Sequence, residues 1–281
     1  MSETIIELKN LSAGYGTKTV LNDVNTVINN GDVVGIVGSN GAGKSTLLKT
    51  VRGLLPHRRG EILFCGKPLE TFSEKELACR IAYLQQHVEV GFGYTGKDIV
   101  LAGRYPYLRW WEKERTEDER IAENCMEYTG TLDLADVPVT EVSGGQKQRI
   151  LLAKILAQQT SVLFLDEPTT GLDVVYREEI FRFVKELATM GKTVLMVVHE
   201  LDLAAKYCNR VLLLGEGKVL ADAFPAEVFT EELLSRAYNT PIKVCHHPTG
   251  GLEITVKSDV GGDLKNAALL KKICSCKKRS V

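Results

Sequence analysis

The chain has 281 residues, 44% of them apolar, with 35 Lys and Arg against 36 Asp and Glu. That length can bury a large core in one domain, or in one domain with a lobe, and a formal net charge of −1 leaves no global electrostatic case for nucleic-acid binding. No run approaches the roughly 18 apolar residues of a membrane span, and Met1–Glu7 has neither the cationic start nor the apolar core of a signal peptide. The expectation is a cytosolic protein whose membrane role comes through a partner. Its 7 cysteines are odd in number and scattered, which reads as reduced thiols rather than a disulfide framework.

In chain order, Ile5–Leu8 and Val24–Ile28 alternate as strands of an antiparallel layer, with Asn29-Asn30-Gly31-Asp32 as a turn. Val33–Val37 is a short apolar run that reads as a buried parallel strand. It enters Gly38-Ser39-Asn40-Gly41-Ala42-Gly43-Lys44-Ser45-Thr46, and a helix begins at Leu47–Val51. A triphosphate needs many N–H donors at close range and a positive field. Glycines let the backbone wrap inward, a helix N-terminus adds its dipole, and Lys44 supplies a cation for the β- and γ-oxygens. Ser45 offers a hydroxyl to Mg²⁺. A nucleoside triphosphate is therefore the expected ligand.

Gly60–Phe64 and Ile81–Leu84 add strands, and helical patterns follow at Gly96–Gly103, Thr116–Thr129 and Ser143–Gln158. Thr116 with Glu119 fits a capping box. Both tryptophans of the chain lie in Gly103–Trp111 beside two tyrosines, and a small lobe cannot bury every ring, so part of this segment is expected to face a partner. Ser143 reads as an N-cap whose following Gly144, Gly145 and Gln146 expose the first amides of a helix, a second anion site far from the first. The strand Val162–Leu165 ends in Asp166 and Glu167. Asp166 can hold a Mg²⁺-bound water, and Glu167 can polarise an attacking water. Phe181–Met190 reads as an amphipathic helix and Val194–Val198 as a buried strand, so the α/β alternation predicts a parallel core sheet.

Beyond Pro241 the pattern weakens to a strand at Glu253–Val256 and a hinge at Gly261-Gly262. From Lys265 onward the chain carries six basic residues and no acid, which reads as a solvated end rather than a membrane-binding one. Cys274 and Cys276, with His246 and His247 upstream, lack the spacing of a structural zinc site.

Together these motifs resemble the ATP-binding cassette (ABC) family of transport ATPases over residues 3–240. Gly38–Thr46 is similar to the family's Walker A, Ser143–Gln146 to its signature motif, and Val162–Glu167 to Walker B with the catalytic glutamate. Asp173, in Thr170-Gly171-Leu172-Asp173, resembles the D-loop aspartate. His199 resembles the switch histidine, Gln86 the Q-loop glutamine, with Gln85 beside it, and Tyr15 the aromatic that stacks on adenine. Glu200 departs from the aspartate usual after the switch histidine. The resemblance implies an α/β P-loop NTPase core with an antiparallel β layer, a helical subdomain at about 87–158 and a C-terminal extension at 241–281. It also implies ATP and Mg²⁺ as cofactors, with Ser45, Gln86 and Asp166 toward the metal. Glu167, His199 and Gln86 would carry catalysis, and Ser143–Gln146 would act on the partner subunit's ATP.

Gly103–Trp111 and Leu220–Tyr238 resemble the branch that serves importers of ferric siderophores, haem and cobalamin. That implies a homodimer at the cytoplasmic face of the membrane, two permease subunits and an extracytoplasmic solute-binding protein. The alternatives are a soluble ABC ATPase without a transporter, against which a single cassette and the lack of a long heptad run count, and an exporter ATPase.

Overall fold

The computed structural model describes residues 3–86, 91, 93–246 and 251–257. Gly261-Gly262, the basic stretch from Lys265, His247, Cys274 and Cys276 lie outside these residues. Strands β1 (Thr4–Tyr15) and β2 (Lys18–Asn29) pair antiparallel. They outrun the alternation visible in the sequence because register shifts between Leu8, Leu11 and Ala13 break the two-residue period while keeping all three side chains inside. Strand β3 (Val33–Gly38), buried at every position, leads through the glycine-rich loop into helix α1 (Lys44–Val51). Strand β4 (His57–Phe64) lies on the other side of β1, and β5 (Lys67–Pro68) completes a four-stranded layer. Gly60 has φ +90°, and a Cβ there would sit 2.4 Å from the Lys9 carbonyl, so only glycine lets β4 pass β1.

Helix α2 (Glu74–Ala78) precedes β6 (Ile81–Leu84). A helical lobe follows, formed by α3 (Gly96–Leu101), a 3₁₀ segment over Ala102–Tyr107, α4 (Thr116–Tyr128) and α5 (Gly144–Ala157). Val100, Ala122, Met126, Ile150 and Ala153 form its core. The expected box between Thr116 and Glu119 is corrected. Thr116 is the first helical residue, and it is the Asp118 carboxylate that accepts from the backbone N–H of Arg115, the residue before the helix, at 3.1 Å.

The remaining core elements are β7 (Val162–Asp166), α6 (Val174–Thr189), β8 (Thr193–Val197), α7 (Leu201–Tyr207), β9 (Arg210–Gly215) and β10 (Lys218–Ala223). The six-stranded sheet runs β10-β9-β3-β8-β7-β6, parallel except for β10 at its edge. One face packs on α5, α6 and α7, the other on α1 and the antiparallel layer, so the central strands are apolar throughout. Helices α8 (Pro225–Val228) and α9 (Glu231–Tyr238) precede a hairpin of β11 (Ile242–His246) and β12 (Leu252–Val256). Among the described residues no helix is long and apolar enough to cross a membrane. Parallel pairing brings the carboxyl ends of β3, β6, β7 and β8 to one rim, where open α/β sheets place their ligands.

Candidate active site

At the end of β3 the chain turns too tightly for side chains. Gly38 has φ +143°, and a Cβ there would lie 2.2 Å from the Leu214 carbonyl of β9. Gly43, at φ +102°, is the residue before α1, and that helix has neither a side-chain cap nor an acid in its first turn. The first amides of α1 are thus left for an anion rather than for the protein's own side chains. At Gly41, with φ +82°, a Cβ would meet nothing within 4 Å, so this glycine is required by its backbone conformation rather than by crowding. Ser39, Asn40 and Ala42 complete the turn, with Ala42 N–H donating to the Ser39 carbonyl at 3.2 Å.

Lys44 arches back over this loop, its Nζ donating to the carbonyls of Gly38 at 2.7 Å and Ser39 at 3.0 Å. Burial lowers the pKa of its ammonium, with the Glu167 and Asp166 carboxylates pulling the other way. These carbonyls hold the cation where an anion on the loop would meet it. Thr46 is buried and its carbonyl accepts from the Thr50 hydroxyl at 2.7 Å, inside α1.

Asp166 ends β7 almost wholly buried. Its Oδ1 accepts from the Ser45 hydroxyl at 2.8 Å and its Oδ2 from the Tyr83 hydroxyl at 3.1 Å. Burial pushes the Asp166 carboxyl above its ordinary value against these two hydrogen bonds, and the charge of Glu167 adds to the rise. Glu167 adopts φ +52°, a left-handed conformation that turns its side chain off the strand line. Its carboxylate accepts from Gln86 Nε2 at 2.6 Å and Thr170 Oγ1 at 3.1 Å, and His199 Nε2 lies 2.9 Å away. Burial acts to raise this carboxyl too, but the contacts of His199 and Thr170 and the charge of Lys44 outweigh it and hold the group below its ordinary value. Two neighbouring acids are thus driven in opposite directions, the pattern by which one site separates carboxylate roles.

The structure gathers Lys44, Ser45, Gln86, Asp166, Glu167 and His199 at the rim. Gln86 sits on Glu167 there, with its amide bonded to that carboxylate. Tyr15 is half exposed at the end of β1. Ser143 and Gln146 form a box at the start of α5: Ser143 N–H donates to Gln146 Oε1 at 2.8 Å, and Gln146 N–H to Ser143 Oγ at 3.3 Å. Among the described residues their side-chain hydrogen bonds close on each other, not on Gly38–Thr46. Gly144 leaves open space where a Cβ would be, and Gly145 faces Leu172. Asp173 caps α6 by accepting from Tyr176 N–H at 3.0 Å.

Sequence reasoning missed Tyr83 and Arg58. The Arg58 guanidinium donates to the Gly16 and Lys18 carbonyls at 2.6 and 3.1 Å, pinning the turn that carries Tyr15. Neither residue lies in a motif, and both contacts arise only when distant strands pair. The aromatic segment divides in two. Tyr107 is anchored, its hydroxyl donating to the Gln158 carbonyl at 2.7 Å and its ring lying under the Arg104 guanidinium, whereas Trp110 is 91% exposed and Trp111 60%.

The profile of the family described as ABC transporter matches residues 21–170. The chain is 38% identical over 252 residues to the hemin import ATP-binding protein HmuV of Thermobifida fusca (strain YX), a match covering 90% of this chain and 88% of that protein. It is 36% identical over 259 residues to the ferric enterobactin transport ATP-binding protein FepC of Escherichia coli (strain K12), covering 91% and 96%. Its structure is similar to the dimeric structure of MJ0796, a bacterial ABC transporter cassette, with a TM-score of 0.71 at 27% identity, covering 79% of this chain and 99% of that one. The chain therefore belongs to the ABC transporter family, as an ATP-binding ATPase subunit.

Proposed function

We infer that this chain hydrolyses ATP to drive import of a ferric siderophore or haem, as the nucleotide-binding subunit of a membrane importer. The cluster of Gln86, Thr170 and His199 around the Glu167 carboxylate, one residue beyond buried Asp166, carries the chemistry. The relatives named for hemin import and ferric enterobactin transport carry the cargo class and direction.

In this reading the amides of residues 38–46 receive the phosphates, Lys44 meets the β- and γ-oxygens, and the Tyr15 ring stacks on adenine. Ser45 and Asp166 are hard oxygen donors 2.8 Å apart, a set that suits Mg²⁺, and Gln86 is bonded to the adjacent Glu167. Mg²⁺, when bound, neutralises charge on the β- and γ-phosphates. As the water oxygen bonds to the γ-phosphorus and the bond to the bridging oxygen breaks to release ADP, Glu167 takes the water's proton and His199 contacts the γ-phosphate. Gln86 and Thr170 share Oε2 of Glu167 while His199 alone meets Oε1, so the contacts that orient the base leave Oε1 an acceptor site for the water.

Two such chains form a homodimer in which Ser143–Gln146 of one subunit closes over the phosphates held by the other. The self-contained box at the start of α5 and the similarity to a dimeric cassette support this arrangement. Residues 3–240 are the ATPase unit, with the helical subdomain at about 87–158, and 241–281 are an extension. The dimer lies peripherally at the cytoplasmic face, on two permease subunits fed by an extracytoplasmic solute-binding protein.

Glu167→Gln tests the chemistry. It is expected to keep ATP binding by calorimetry while turnover falls by about 10²–10⁴, and turnover near wild type would overturn the assignment. Uptake of labelled ferric siderophore and of haem, reconstituted with permease and binding protein, tests the cargo. Robust ATPase without uptake of either would reject it.

A further inference from the structure

Glu200 follows His199 just beyond β8, and the structure shows what its side chain reaches. Glu200 Oε2 accepts from the Thr169 hydroxyl at 3.0 Å, and Oε1 lies 3.5 Å from the Arg177 guanidinium. Arg177 in turn donates through Nε to the Leu172 carbonyl at 2.8 Å. Neighbouring His199 holds Glu167 at 2.9 Å. Two consecutive residues after β8 thus grip both ends of the loop after β7.

That loop needs gripping. It contains Glu167 at φ +52° and Gly171 at φ +78°, and among the described residues it lies between β7 and α6 without pairing to another strand. Its far side meets the start of α5: Gln148 Nε2 donates to the Pro168 carbonyl at 2.9 Å, and a Cβ on Gly145 would touch Leu172 at 3.7 Å. A line of contacts therefore runs from His199 and Glu200, through Thr169 and its neighbour Pro168, to Gln148 on α5. An aspartate at 200 would end about 1.5 Å short, the length of one C–C bond, and could not engage Thr169 and Arg177 together from the same backbone.

We propose that Glu200 is a positioning residue that couples the phosphate-facing end of β8 to the Ser143–Gln146 helix start by clamping the loop Glu167–Asp173. The clamp rests on the assignment of residues 38–46 and His199 to the nucleotide site. Its bond to Thr169 has a charged acceptor, which strengthens it, while the ion pair to the more exposed Arg177 is the weaker hold. Movement of His199 is passed to α5 because both sides of the loop are tied.

Hydrogen exchange of the full chain, dilute enough to sediment as a monomer so that no partner subunit covers 143–146, with and without Mg·ATP tests the clamp. In the wild type, ATP is expected to slow exchange at 38–46 and also at 168–173 and 143–149. In Glu200→Ala the first effect persists and the other two disappear. Its kcat falls by roughly 2- to 30-fold, the span of coupling changes from such links, with the ATP dissociation constant unchanged. Glu200→Gln, which keeps the length and an acceptor for Thr169, restores part of both. A purely structural role would lower the melting temperature without separating the segments or splitting kcat from binding, and that result overturns the proposal. So does protection of all three segments in Glu200→Ala. Should that variant not fold, Arg177→Ala, which removes both the ion pair to Glu200 and the hydrogen bond to Leu172 while keeping Thr169 on Glu200, is read the same way. Wild-type protection confined to 38–46 overturns the clamp only, whereas no protection at 38–46 overturns the nucleotide-site assignment and the clamp with it.

Discussion

Asp166 shows how much one hydroxyl can matter when a carboxylate is buried. Ser45 serves one oxygen and Tyr83 the other, and burial has already pushed this acid above its ordinary value. Removing the Tyr83 hydroxyl leaves an oxygen without that donor in a place where water is scarce, at a cost of about 1–3 kcal/mol. Tyr83→Phe keeps the ring that packs beneath the antiparallel layer, so the loss is confined to the hydrogen bond. Its melting temperature is expected to fall. A higher Mg²⁺ concentration should also be needed for half-maximal stabilisation by ATP, because Asp166 is less firmly aimed. Melting curves across a Mg²⁺ titration check both, and identical curves for the two proteins would show that the bond is dispensable.

At the scale of elements, a buried ion pair ties the helical lobe together beside its apolar core. Arg104 Nε donates to Asp118 at 2.8 Å and its Nη1 to the Ala157 carbonyl at 2.8 Å, joining the 3₁₀ segment, α4 and the end of α5. Gly103 makes room for this, since a Cβ there would lie 2.4 Å from the Lys154 carbonyl. Breaking one side of such a pair strands the other charge, which costs about 3–5 kcal/mol. Asp118→Asn is therefore expected to melt well below the wild type at neutral pH. Burial acts to raise the Asp118 carboxyl, but the Arg104 hydrogen bond, the Arg115 N–H and the charges of both arginines hold it below its ordinary value. A carboxyl depressed in the folded state stabilises fully above its unfolded pKa and loses that contribution as pH falls through the folded one. The gap between the two proteins should accordingly narrow below about pH 4. Parallel acid melting series check this, and a gap that stays constant would show that the charge of Asp118 is not what fastens the lobe.

For the molecule as a whole, we propose that the lobe's outer surface is where the ATPase meets a permease. Trp110 and Trp111 pack edge to face with ring centroids 5.3 Å apart, and both project into solvent. Exposed paired rings of this kind are the usual anchors of protein interfaces. Trp110→Ala is expected to change the stability of the isolated subunit by no more than about 0.5 kcal/mol, while co-purification with the permease is lost. Tyr107→Ala should instead lower the melting temperature, because its hydroxyl and ring are tied to Gln158 and Arg104. If Trp110→Ala copurifies normally, docking runs through another part of the lobe.

What was legible in the sequence was whatever a contiguous stretch of backbone demands for itself. Gly38, Gly41 and Gly43 are required by positive φ angles or close approach, Ser143 and Gln146 cap one helix start, and Asp166 ends an apolar strand. Such requirements are local, so they are written within a few neighbouring residues. The strand lengths were less legible, since bulges in β1 hide the alternation that marks a strand. What pairs Tyr83 with Asp166, Arg58 with the Tyr15 turn, and Glu200 with Thr169 was decided only by the tertiary structure. Those partners lie 83, 42 and 31 positions apart, and only the register of β6 on β7, β4 on β1 and β8 on β7 brings them within a hydrogen bond's length. Composition and spacing carry no record of that register, because it is settled by how apolar faces pack across the sheet rather than by any residue's neighbours in the chain.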